Sequence, residues 1–136
     1  MVFGDYDVDG NCATAILWQT LMKMRDLRVA TKSDCNEEKI KIPQPFIPHR
    51  QKHGYGLNER SLKEILAMGM EERPDLIVTV DNGVTALETV EKLYEAGIEV
   101  IVTDHHQAEI GEKGEKVWPK AEAVLHSTEV CGEMVS

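Results

Sequence analysis

Two short stretches of the chain, LIVTV at 76–80 and IEVIVT at 98–103, are dominated by β-branched and apolar residues with little polar alternation. Strands that are apolar on both faces are those of a parallel sheet covered by helices. Between them Val84, Leu87, Val90, Leu93 and Tyr94 recur at helical spacing and are predicted to face inward. Thr85 and Glu88 stand three apart, as a capping box requires, and Gly97 suits the C-terminal cap. Asn82-Gly83 ends the first strand. The unit is a strand, a helix and a parallel strand, with the right-handed crossover expected of such a connection.

The same reading extends toward the N-terminus. Met1, Val2 and Phe3 form the tail of a buried strand that runs into GDYDVDGN, and Ala13, Ile16, Leu17, Thr20, Leu21 and Met24 follow at helical spacing. Residues from Arg28 to Lys32 are read as a second strand, and SDCNEEKIKIPQP as a polar surface insertion. PFIPHRQKHGYGLN is a short extended piece followed by a glycine-rich loop; Leu62, Ile65, Leu66 and Met70 then give a helix its apolar face. The expected architecture is α/β, a parallel sheet with helices on both faces, in one domain over residues 1–136.

Composition narrows the class. At 42% hydrophobic and 29% charged, the chain suits a compact soluble domain. It has no apolar run of the roughly 18 residues that a membrane span needs, and its N-terminus is unlike a signal peptide, so a cytoplasmic protein without a membrane partner is expected. Cys12, Cys35 and Cys131 are far apart with no CxxC pairing, which points to reduced, structural thiols and against a disulfide framework or a zinc site. A net charge of -9 argues against a bare nucleic-acid-binding module. It is compatible with carboxylates that hold divalent cations, since bound metal reverses the local field.

Three groups of metal-type ligands are expected at one edge of the sheet: Asp5, Asp7 and Asp9; Asp81; and Asp104, His105 and His106. The carboxyl ends of parallel strands are where open α/β sheets place their sites. Each group has an ordinary reading. DYDVDG opens like an EF-hand calcium loop, but a strand precedes it and the twelfth position is Ile16, not a bidentate Glu. The acidic turn also suits a helix cap made by Asp9, Asp-Asn-Gly is common turn chemistry, and a His pair after a strand can be a polar loop with Asp104 orienting His105. Convergence of all three favours a metal site. Carboxylate and imidazole ligands suit Mn²⁺ or Mg²⁺, and Fe²⁺ or Co²⁺, better than structural zinc; a two-metal site needs a bridging carboxylate, for which Asp81 is the candidate.

GDYDVDG, IPHRQKHGYGL, LIVTVDNGV and VIVTDHH, in this order over roughly residues 1–107, resemble the opening motifs of the DHH phosphoesterases, most closely the RecJ-type single-strand DNA exonucleases. The resemblance implies that Asp7, Asp9, Asp81 and His105 are metal ligands, with Asp5 in or beside that set. It implies that His106 contacts the scissile phosphate, with Asp104 beside it in the catalytic group, and that Arg50 sits on a phosphate. Tyr55, between two glycines, either shapes the loop beside the site, with a place in nucleic-acid binding, or simply packs. The implied function is metal-dependent removal of mononucleotides from the 5′ end of single-stranded DNA in repair and recombination, by in-line attack of an activated water. An oligoribonuclease or cyclic-dinucleotide phosphodiesterase acting on short RNA or dinucleotides is the alternative, as is a pyrophosphatase or a non-catalytic replication-associated scaffold; self-association or contact with replication and repair proteins is also expected. Such enzymes continue to a further metal-binding Asp and a second domain. Two positions depart from the pattern: His53 stands where an acidic residue is common, and Leu125-His126 where Asn-Pro is expected, so that His126 is either a surface histidine or a replacement site residue.

Overall fold

The computed structural model describes residues 1–30 and 41–127, together with the backbone of Val130 and Cys131. Its main sheet contains β1 (Val2–Phe3), β2 (Pro45–Phe46), β3 (Leu76–Val80), β4 (Glu99–Asp104), β7 (Ala123–His126) and β8 (Val130–Cys131), in the order β2-β1-β3-β4-β7-β8. The first five in that order run parallel, and β8 is antiparallel at the edge. The helices are α1 (Val8–Ala30), α2 (Glu59–Leu66) and α3 (Leu87–Glu95). β5 (Glu109–Ile110) and β6 (Lys116–Val117) form a separate antiparallel hairpin in the connection from β4 to β7. The α/β class with a parallel sheet is therefore as the pattern predicts.

Alternation along the strands divides the helices between the two faces. Phe3, Ile77, Val100, Val102 and Val124 pack with Leu62 and Ile65 of α2 and Val90 and Leu93 of α3 in one buried cluster. The opposite face, carrying Gly4 and Val78, meets α1, whose Thr14 is buried against Gly4: a Cβ on Gly4 would lie 1.9 Å from Thr14 Oγ1. Trp18 Nε1 donates to the Pro43 carbonyl at 2.9 Å and ties α1 to the approach to β2.

Several local expectations are corrected. Arg28–Ala30 form the last turn of α1 rather than a strand, and residues 31–32 lie outside the described residues, as do 33–40 of the expected insertion. On α1 the half-buried side carries Leu17 and Leu21, whereas Ile16 and Met24 are 68% and 55% exposed. This helix bears apolar residues on two sides, so spacing alone cannot select its phase; the close approach at Gly4 does. On α3 Tyr94 is 65% exposed and Thr89 is buried instead. Thr85 makes no cap, and the turn before α3 is held by the Val84 amide donating to Asp104 Oδ2 at 2.9 Å. Gly97, at φ 76°, closes α3 as expected. On α2 Leu62 and Ile65 are buried and Leu66 lies at the margin, while the helix ends before Met70, which is exposed. Asn58 caps α2 by accepting from the Arg60 and Ser61 amides, with Ser61 Oγ accepting from the Asn58 amide in return. Cys12 is a free, exposed thiol rather than a structural one; Cys35 and the Cys131 side chain lie outside the described residues.

From β1 the chain proceeds through α1 to β2 on one side, then returns through α2 to β3 on the other. Such a reversal of strand order opens a crevice at the carboxyl ends of the two strands. An apolar groove of about 390 Å³, lined by Met1, Leu21, Ile42, Pro43 and Leu76 among others, lies at the opposite end of these strands.

Candidate metal centre

Asp5 follows β1 after Gly4 and is 1% exposed, with Oδ1 accepting from the Tyr6 amide at 2.7 Å. Asp7 stands immediately before α1 and caps it: its Oδ1 accepts from the Gly10 amide at 2.9 Å. The cap expected of Asp9 is thus made two residues earlier, and Asp9 is exposed in the first helical turn. Gly10 makes this start possible, since a Cβ there would lie 2.5–2.8 Å from the Cβ, N and Cα of Asp5. Backbone cannot retreat from such a contact as a flexible side chain would.

At the end of β3 Asp81 adopts φ 64°, the left-handed region, which Asp tolerates better than most residues. Its Oδ1 lies 3.1 Å from Nδ1 of His105, which follows β4. Asp104, the last residue of β4, has a side chain only 1% exposed and is saturated with donors. Its Oδ1 accepts from the His105 amide at 2.7 Å, the His106 amide at 3.1 Å and His106 Nδ1 at 2.7 Å. Asp104 therefore orients the ring of His106, where a partnership with the ring of His105 had been expected. The two imidazoles stack with centroids 4.5 Å apart.

Two sets of potential donor atoms result, each with all members within 4.8 Å of one another: Asp5, Asp7 and Asp81; and Asp81, Asp104, His105 and His106. Asp81 belongs to both. Asp9 belongs to neither. Burial raises the pKa of Asp5, with the charge of Asp7 adding to it and the Tyr6 amide opposing it. Burial likewise raises Asp81, again helped by Asp7 and opposed by His105 and His106. Asp104 moves the other way: burial pushes it up, but hydrogen bonds from Val84, His106 and His105 outweigh this and leave it below the usual carboxylate range. His106 is raised, chiefly by its bond to Asp104. The first set is a concentration of negative charge that destabilises its own ionised form, and a cation relieves that repulsion. Hard oxygen donors joined by imidazole, with no thiolate among them, fit Mn²⁺ or Mg²⁺.

The glycine-rich loop leans over this edge. Tyr55 Oη lies 3.2 Å from His106 Nε2 and 3.3 Å from Nδ1, and the rings meet edge to face. Burial and the surrounding carboxylates push its phenol pKa up. Tyr6 meets Tyr55 edge to face at 6.4 Å, and the Arg50 guanidinium lies 5.4 Å above the Tyr6 ring. Arg50 thus joins the site through two aromatic rings. His53 takes no part: it is buried, Nδ1 accepts from the His49 amide at 2.8 Å, and Nε2 therefore carries the proton toward Glu64 Oε2 at 2.9 Å. His126 ends β7 opposite Asp104, with Nε2 2.7 Å from the His106 carbonyl and its ring against Trp118. It is half-buried at the same edge of the sheet as Asp104. Asn82, fully buried beside Asp81, had no sequence signal beyond its place in a turn.

The model of the DHH family N-terminal domain matches residues 1–135. This chain belongs to the DHH family. Among DHH relatives, the single-stranded-DNA-specific exonuclease RecJ of Bacillus subtilis (strain 168) is 34% identical over 126 residues, covering 93% of this chain and 13% of that protein. The RecJ of Thermus thermophilus is 42% identical over 105 residues, covering 77% of this chain and 13% of that protein. A crystal structure of exonuclease RecJ bound to manganese superposes with TM-score 0.62 at 38% identity, covering 93% of this chain and 26% of that one. RecJ from Thermus thermophilus in complex with Mn²⁺ gives TM-score 0.54 at 32% identity, covering 93% and 14%. The chain spans about an eighth of the length of these curated DHH relatives. No helix among the described residues is long and apolar enough to cross a membrane.

Proposed function

We propose that this chain is the metal-holding part of a phosphodiesterase that removes nucleotides from the 5′ end of single-stranded DNA in repair and recombination, using Mn²⁺ or Mg²⁺ at two adjoining positions. The observation that carries the reading is that Asp81 is common to two donor sets. A shared carboxylate is what two adjoining cations need, their separation in such sites being about 3.5–4 Å. Asp5 and Asp7 would hold one cation with Asp81, and His105 the other. When bound, the cations would offset charge on the phosphoryl oxygens and favour ionisation of an attacking water. Asp104, with its four hydrogen bonds, serves as an orienting group: it fixes Nδ1 of His106 as a donor and presents the rest of that ring, beside Tyr55, to a phosphate. Arg50, its guanidinium 5.4 Å above the Tyr6 ring, would take a further phosphate oxygen with its fork of donors. Asp9, exposed in the first turn of α1 and outside both donor sets, would join them as a further ligand only by turning its side chain toward a bound cation. The relatives named RecJ support the choice of single-stranded DNA; with a net charge of -9, strand affinity would not come from the overall charge of this chain.

The test is Mn²⁺ calorimetry on the chain and its Asp81→Ala variant, with degradation assays on 5′-labelled single-stranded DNA and RNA. Binding that Asp81→Ala removes, with DNA degraded from its 5′ end, is the expected result. Degradation of RNA alone would favour the oligoribonuclease alternative, and a folded chain that binds no Mn²⁺ would overturn the metal reading.

A further inference from the structure

The parallel ladder between β1 and β3 stops at Phe3 and Thr79. Beyond it, the Asp81 amide continues the β3–β4 ladder by donating to the Thr103 carbonyl at 3.0 Å, and the left-handed conformation of Asp81 then ends β3, leaving β1 and β3 unladdered past this point. The side chain of Asn82 spans the resulting gap. It is fully buried, and its Nδ2 lies 3.0 Å from the Gly4 carbonyl, 2.9 Å from that of Val80 and 3.4 Å from that of Phe3. Gly4 immediately precedes Asp5, and Val80 immediately precedes Asp81. One amide group therefore grips the backbone one residue ahead of each of two carboxylates in the same donor set. Its other end, Oδ1, has no hydrogen-bond partner among the described residues, and reversing the amide would aim that oxygen at three carbonyl oxygens, so the donor orientation is dictated by the surroundings. Gly56, at φ 60° in the loop that carries Tyr55, passes so close that a Cβ on it would stand 3.5 Å from Asn82 Cβ.

We infer that Asn82 is a positioning residue of the metal centre, holding Asp5 and Asp81 at the separation that a shared cation requires. This rests on the metal reading above. A carbonyl-gripping amide needs two N–H donors on one nitrogen, which Asp, Ser or Ala cannot supply in full.

The experiment measures Mn²⁺ affinity by calorimetry, and secondary structure by circular dichroism, for the parent, Asn82→Ala, Asn82→Ser, Asp81→Ala and Val90→Ala. Asn82→Ala is expected to keep its secondary structure and lose affinity by about 10- to 100-fold, the usual effect of removing an outer-shell partner. Asn82→Ser retains one hydroxyl donor and is expected to recover part of that loss. Val90→Ala loosens the core away from the site and is expected to bind as the parent does. Folded Asn82→Ala with the parent's affinity overturns the inference, as does an equal loss in Val90→Ala, which would make the effect one of general destabilisation. Should Asn82→Ala fail to fold, Asn82→Ser decides by the same criterion. Asp81→Ala separates the two readings. If it binds as the parent does, both fall; if it abolishes binding while the Asn82 variants bind normally, only the positioning role falls.

Discussion

Replacing Asp104 with Asn preserves shape and removes one acceptor, which makes it a sharp test of the clamp between β4 and the turn before α3. The carboxylate accepts three hydrogen bonds at Oδ1, from two backbone amides and His106 Nδ1, and one at Oδ2, from the amide of Val84. The single oxygen of Asn is best kept at the Oδ1 position, which turns its NH₂ group against the Val84 amide. Val84 is 1% exposed, so that donor has no ready access to water. An orphaned buried donor costs about 1–3 kcal/mol, and loss of charge assistance weakens the three bonds that remain. A total of roughly 2–3 kcal/mol lowers the melting temperature of a chain of this size by about 6–12 °C. The assay is thermal denaturation followed by circular dichroism in EDTA, so that cations contribute nothing to either protein. A fall of less than about 2 °C would refute the reasoning, because it would mean that the Val84 amide finds another acceptor at no cost.

Gly10→Ala should cost about 2 kcal/mol or more through its clash with the Asp5 backbone, whereas Gly69→Ala, with open space around it, should change stability by less than about 0.5 kcal/mol; urea titration of both variants measures the difference. Mn²⁺ at about 100 times its dissociation constant should raise stability by about 2.7 kcal/mol, a shift that Asp81→Ala should abolish in a thermal melt. The hydrogen bond from Lys52, with that from His53, holds Glu64 below the usual glutamate range. Its contribution to stability is therefore present above the ordinary glutamate value and lost as pH falls through the lowered one. The gap in melting temperature between parent and Glu64→Gln should accordingly be open at neutral pH and close in acid; a gap that ignores pH would remove the ion pair as its cause.

The β3–α3–β4 unit was legible because Ile77, Val100 and Val102 leave little choice but a covered strand, and with the strands in place Asp81 and Asp104–His106 had to emerge at one edge. The phase of α1 was not legible, since Ile16 and Met24 mimic the periodicity of a buried face. The exchange of Asp7 for Asp9 as helix cap depends on how closely Gly10 docks on Asp5, which no local pattern encodes. Thr85 lost its expected cap to a carboxylate twenty residues away from Val84. Asn82 is the clearest case: its partner carbonyl on Gly4 is 78 residues distant, and within its own tripeptide it is an ordinary turn residue.

That separation bears on how the molecule assembles. Asp5 and Asp81 meet only after Val2 has paired with Val78, a contact that closes most of the chain into one loop. Such distant pairings form late and slowly, because their entropy must be lost before any contact is gained. The first donor set accordingly has no counterpart in an isolated β3–α3–β4 unit, however well that unit forms by itself. Cation binding there would report completion of the sheet, and by linkage would draw the chain toward its longest-range contact.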